Sequence, residues 1–136
     1  MILIIDDAPD LRAMFQALLA NAGFPVRTAA TAADGLTIAL TQKPKLILLD
    51  ICMPGMDGFG FIRAVHKIEC LRDVKIIILS GMDSTVTKEK AAALGVEHVF
   101  IKGKFEIIEL LSLVDQLVAQ PAGAESSGKD ASTAIS

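Results

Sequence analysis

A chain of 136 residues with 52% hydrophobic and 21% charged residues makes one ordinary domain, with too much apolar content to stay unfolded for want of a core. A net charge of −3 argues against a nucleic-acid-binding module, which carries a strongly basic face. No apolar run reaches the ~18 residues of a membrane helix. Met1 leads straight into Ile2–Ile5 and an aspartate pair, unlike the basic start and longer apolar stretch of a signal peptide. Cys52 and Cys70 are too few for a disulfide framework or a metal knuckle. These features predict a cytoplasmic protein with reduced thiols and no membrane insertion.

Taken in chain order, short apolar runs alternate with helical patterns. Ile2–Ile5 is continuous aliphatic sequence, as in a parallel strand buried on both faces. Leu11, Met14, Phe15, Leu18, Leu19 and Ala22 then form an amphipathic stripe, opened by Pro9 and closed by Gly23. Val26–Ala30 is more polar and reads as an edge strand. Thr31 and Asp34 have capping-box spacing ahead of Leu36, Ala39 and Leu40. Lys45–Leu49 is the third run, and Asp57 caps a helix bearing Phe61, Ile62, Val65 and Ile68. Val74–Leu79 is the fourth run, followed by an alanine-rich helix from Ser84 to Leu94 that Gly95 ends. Val96–Ile101 is the fifth. Ile107, Leu110, Leu111, Val114, Leu117 and Val118 make the last stripe, stopped by Pro121. Small and polar residues from Gln120 onward predict a disordered tail over 120–136, leaving a domain of 1–119.

Five consecutive βα units predict a doubly wound α/β domain: a five-stranded parallel sheet with five helices on its two faces. All strands of such a sheet finish at one edge, where ligands bind. The first run ends in Asp6 and Asp7, the third in Asp50, the fourth in Ser80 and the fifth in Lys102; the second offers only Ala29 and Ala30. Three carboxylates at one rim repel each other unless one is protonated or a cation is bound. An all-oxygen site with room for water suits Mg²⁺ better than Zn²⁺ or Ca²⁺. Lys102 is a point charge that grips an anion, and Ser80 donates a hydrogen bond. A divalent cation, a lysine and a hydroxyl around a carboxylate are the parts of phosphoryl transfer, with the carboxylate itself able to act as nucleophile.

These residues, with Leu-Ile-Leu-Leu-Asp50 followed by Met53-Pro54-Gly55-Met56-Asp57-Gly58 and with Ile-Leu-Ser80-Gly81, resemble the receiver domains of two-component response regulators. The resemblance runs from Met1 to Ala119 and is to the single-domain, chemotaxis- or phosphorelay-like members. It implies a flavodoxin-like fold with strand order 2-1-3-4-5 and Asp50 as phosphoacceptor. It also implies Mg²⁺ held by Asp6, Asp7, Asp50 and the backbone carbonyl of Cys52, with Ser80 and Lys102 on the phosphoryl oxygens. A histidine kinase or phosphotransfer protein is then the donor and a downstream protein the target, with no direct contact to nucleic acid. The protein is not an enzyme beyond catalysing its own phosphorylation and dephosphorylation. The alternative is a pseudo-receiver, an interaction module that signals without phosphorylation.

Four positions depart from that pattern. Gly103 stands where the family has proline after the lysine. Val99 occupies the usual aromatic switch position, with Phe100 beside it. Cys52 and Met82 flank the approach of water to the phosphoacceptor. Haloacid-dehalogenase-like phosphatases want Asp-x-Asp after the first strand, and a flavodoxin-type carrier wants a phosphate-cradling loop there; adjacent aspartates satisfy neither. His66 and Glu69, spaced i, i+3, read as a solvated helix face, as do Lys88, Glu89 and Lys90. His98 falls on or near the last strand. Gly55, Gly58 and Gly60 match neither a P-loop nor a dinucleotide fingerprint.

Overall fold

The computed structural model describes residues 1–53, 57–81 and 85–119; residues 54–56, the loop residues 82–84 with Met82, and the segment 120–136 predicted as a tail lie outside the described residues. The elements run β1 (Ile2–Ile5), α1 (Pro9–Asn21), β2 (Val26–Ala29), α2 (Ala32–Gln42), β3 (Leu46–Asp50), α3 (Gly58–Lys67), a 3₁₀ turn (Glu69–Leu71), β4 (Lys75–Ser80), α4 (Thr85–Ala93), β5 (His98–Ile101) and α5 (Ile107–Ala119). All strand pairs are parallel, in the order β2-β1-β3-β4-β5.

Strand side chains alternate between two cores, which explains the unbroken aliphatic runs. Leu3, Ile5, Ile47, Leu49 and Ile78 face the layer of α2, α3 and α4, where Ala39, Ile62, Val65 and Ala91 are buried. Ile2, Ile4, Leu46, Leu48, Ile77 and Leu79 face Phe15 and Leu19 of α1 and Leu110 and Val114 of α5. At roughly 1.5–3 kcal/mol for each fully buried aliphatic side chain, the three central strands dominate the apolar stabilisation. The outer strands β2 and β5 are only partly buried.

The caps follow the sequence closely. Thr31 accepts a hydrogen bond from the Asp34 amide, and Asp57 accepts one from the Phe59 amide. Gly95, at φ 81°, ends α4 in a left-handed conformation: the Gly95 amide donates to the Ala92 carbonyl and the Val96 amide to that of Ala91. Buried Val96 is therefore the apolar seal of a helix end, and β5 starts two residues later, at His98.

Two strand ends differ from the apolar runs. Asp50 and Ser80 are the last residues of β3 and β4, because Asp50 still pairs with Leu79 and Ser80 with Ile101. The ladder, and not hydrophobicity, decides where these strands stop. His66 and Glu69 do not share a helix: α3 ends at Lys67, Ile68 is extended, and Glu69 opens the 3₁₀ turn. Ile68 turns its side chain into the α3-side core instead of continuing the helix.

Candidate functional site

The carboxyl edge of the sheet gathers Asp6, Asp7, Asp50, Ser80 and Lys102. Asp6 follows β1 directly, with its amide on the Ala29 carbonyl of β2, and is fully buried; Asp50 and Ser80 are 2% and 1% exposed. Asp7 is exposed. Both buried carboxylates fold back on their own backbone: Asp6 Oδ1 accepts from the Ala8 amide and Asp50 Oδ1 from the Cys52 amide, each at 2.9 Å. That leaves each Oδ2 aimed at the centre of the site.

Lys102 fills that centre. Its amide donates to the Ser80 carbonyl at 2.8 Å, holding the residue beside the end of β4. Its ammonium lies 3.0 Å from Asp50 Oδ2 and 3.3 Å from Asp6 Oδ2. The chain then turns sharply, with the Lys104 amide bonded to the Ile101 carbonyl and Gly103 at φ 78°. A positive φ at the third position of a four-residue turn is the type II pattern, which proline cannot adopt. Gly103 thus permits a turn after Lys102 that proline would not, and the turn aims the lysine inward.

The electrostatics favour a further cation. Three carboxylates facing one ammonium leave two negative charges uncompensated when all are ionised. The pKa of Asp6 is raised, chiefly by burial and also by the Asp50 charge, against the opposing Ala8 amide and Lys102. Burial alone would lower the pKa of Lys102, but Asp50 and then Asp6 outweigh it and the pKa is raised. Carboxylate oxygens of Asp6, Asp7 and Asp50 lie within 4.8 Å of one another, and buried Asp6 Oδ2, 3.3 Å from the Lys102 ammonium, has no partner in good hydrogen-bond geometry among the described residues. A small hard cation with oxygen ligands fits this donor set.

Two residues absent from the sequence reading complete the site. Arg12, in the first turn of α1, donates to the Asp6 carbonyl at 2.7 Å and braces the Asp6–Asp7 turn. Its only signal in the sequence is a cation at a helix N-terminus, where cations are disfavoured. Phe105 packs edge-on against Phe100, with ring centroids 4.9 Å apart. Phe100 therefore belongs to the α1/α5 side of the sheet, whereas half-buried Val99 packs on the opposite core. Cys52 is exposed beside Asp50.

The model of the response regulator receiver domain matches residues 2–115. The chain belongs to this family. As a receiver domain of two-component systems it is 29% identical over 132 residues to the transcriptional regulatory protein PrrA of Mycobacterium tuberculosis, covering 97% of this chain and 55% of that protein. It is 33% identical over 101 residues to the probable transcriptional regulator ycf27 of Cyanidium caldarium, covering 74% of this chain and 39% of the relative. The chain thus spans about half or less of these curated relatives' length. Among solved structures it is similar to the chemotaxis response regulator CheY4 of Vibrio cholerae, with a TM-score of 0.77, 29% identity and coverage of 85% and 96% of the two chains. It is also similar to the receiver domain of a DNA-binding response regulator from Colwellia psychrerythraea, with a TM-score of 0.81, 28% identity and coverage of 88% and 98%. Five parallel strands in this order with five helices make the receiver domain flavodoxin-like, and no helix among the described residues is long and apolar enough to cross a membrane.

Proposed function

We propose that this receiver domain accepts a phosphoryl group on Asp50 from a histidine kinase or phosphotransfer protein, acting in the cytoplasm. The reading rests on one observation above all: Asp50 closes the central strand, buried, with Lys102 at 3.0 Å and two further carboxylates beside it. An Asp50 oxygen attacks phosphorus, the new P–O bond forms, and the P–N bond to the donor imidazole breaks, returning its electron pair to the ring. Lys102 passes from the carboxylate to the phosphoryl oxygens, and the Ser80 hydroxyl donates to another. The Cys52 amide keeps Asp50 oriented throughout.

Asp6, Asp7, Asp50 and the Cys52 carbonyl would hold Mg²⁺, which when bound neutralises oxygen charge on the transferring group. The chain's only catalysis is then its own phosphorylation and dephosphorylation, and its output is contact with a downstream protein, not nucleic acid. The complete acidic set with its lysine favours this reading over a phosphorylation-independent module. Incubation with Mg²⁺ and a small phosphodonor, followed by mass spectrometry, should give one added phosphoryl group, lost in Asp50→Asn. Labelling of Asp50→Asn equal to wild type would overturn the assignment.

A further inference from the structure

At the opposite edge of the sheet, where β3, β4 and β5 begin, two cavities adjoin. One, of about 390 Å³, is walled by His66, Leu94, Val96, His98 and Leu113. The other, of about 280 Å³, is walled by Lys43, Lys45 and Cys70. Asp73, Val74, Lys75 and Leu117 line both, so they form one trough with two chemically different ends. Each chamber is near the lower end of the size range of small-molecule sites.

We propose that this trough binds a nucleoside phosphate, with the phosphates among Lys43, Lys45 and Lys75 and the ring beside His66 and His98. Charge carries the first half. Arg72 and the three lysines meet only Asp73 and Glu97 around the trough, on a chain whose net charge is −3. None of these four cations forms an ion pair among the described residues. Ammonium groups free of carboxylate partners are available to phosphoryl oxygens, for which lysine acts as a point charge. The second chamber carries the rest: imidazoles and the aliphatic side chains of Leu94, Val96 and Leu113 offer a surface for a flat, weakly polar ring. Burial lowers the pKa of His66, favouring the neutral imidazole that such a surface needs. A metal is not the occupant, because the histidines and acids here do not converge. Among the described residues only Asp6, Asp7 and Asp50 bring three ligating atoms together.

The trough and the phosphoacceptor edge lie at opposite ends of the same strands. Lys75 opens β4 and Ser80 closes it, about 17 Å away at the rise of a strand, so occupancy of the two sites is separable by residue. The test titrates the full chain with ADP, adenosine and inorganic pyrophosphate in chelator, by calorimetry and by amide chemical shifts. ADP should saturate, more tightly than either fragment, with shifts at Val74, Lys75 and Val96–His98 and little change at Asp6, Asp50 and Lys102. Lys43→Ala with Lys75→Ala should weaken ADP at least about tenfold. Absence of saturation at about 1 mM ADP, pyrophosphate binding as tightly as ADP, or shifts confined to the Asp50 edge would each overturn the assignment. The wild-type shift map decides the question even if the double variant fails to fold.

Discussion

Lys102 is the one cation within 4 Å of the Asp6 or Asp50 carboxylate among the described residues, so Lys102→Met isolates what the acidic cluster does to the fold. At 3.0 and 3.3 Å, and an effective dielectric of ~20, each attraction is about 5 kcal/mol before desolvation is subtracted. The lysine side chain is 21% exposed and recovers hydration when released, whereas Asp6 and Asp50 are 0% and 3% exposed and cannot. Removing one partner of a buried pair costs about 3–5 kcal/mol, and partial exposure of the ammonium sets the expectation at the low end, ~3 kcal/mol at neutral pH. A domain of ~5–15 kcal/mol survives that loss. The sign with pH follows from Asp6, whose folded pKa is raised above 3.8 and rises further without the ammonium. Stability tied to its protonated form is present below 3.8 and lost as pH climbs through the folded value. The deficit of the variant relative to wild type is therefore largest near neutrality and shrinks toward pH 4. Urea unfolding of both proteins in chelator, at neutral pH and near pH 4, measures this. Equal urea midpoints at neutral pH, or a deficit that does not shrink on acidification, would refute the account of Lys102 as counter-charge.

Asp6→Asn removes the buried charge that burial and Asp50 disfavour, so it should stabilise the fold by about 1 kcal/mol at neutral pH, as when function retains a repulsive group. That gain should fade as pH falls toward 3.8, in the same urea assay. Asp7→Asn, at an exposed position, should change stability by no more than about 0.5 kcal/mol while weakening Mg²⁺ about tenfold in a titration. Gly103→Ala has open space around its Cβ but must hold φ 78°, which should cost about 1 kcal/mol and slow phosphorylation by tilting Lys102. Cys52→Asn places an amide able to orient water at an exposed position beside Asp50, and should shorten the phosphoprotein half-life by up to about tenfold.

The fold was readable because the central strands are buried on both faces, leaving unbroken aliphatic runs that a helix stripe does not imitate. Asp6, Asp7, Asp50, Ser80 and Lys102 were all readable for a related reason: strand order brings the residues at the ends of β1, β3, β4 and β5 to one edge. What escaped depends on tertiary pairing. The ends of β3 and β4 are set by ladder partners on neighbouring strands, which no local pattern encodes. The break between His66 and Glu69 has neither glycine nor proline, because Ile68 leaves the helix to reach the core. Arg12 could not be placed, since a long flexible side chain chooses the Asp6 carbonyl only once β1 and α1 are assembled.

The arrangement around Lys102 also indicates how a change at Asp50 travels. On the proposed chemistry, the ammonium leaves the two carboxylates for the phosphoryl oxygens. Its backbone cannot follow freely, because the Lys102 amide is bonded to the Ser80 carbonyl and Ile101 is in register with Ser80. A pull on the side chain is therefore shared between the ends of β4 and β5 and the turn closed by Gly103. Phe105 follows that turn and rests edge-on against Phe100, so rotation of the turn reaches the start of α5 directly. Val99, stiff and without a hydroxyl, has no second hydrogen-bonded state to offer. In this receiver domain the aromatic contact beside Lys102 is the Phe100–Phe105 pair, on the α5 face and not the α4 face of β5.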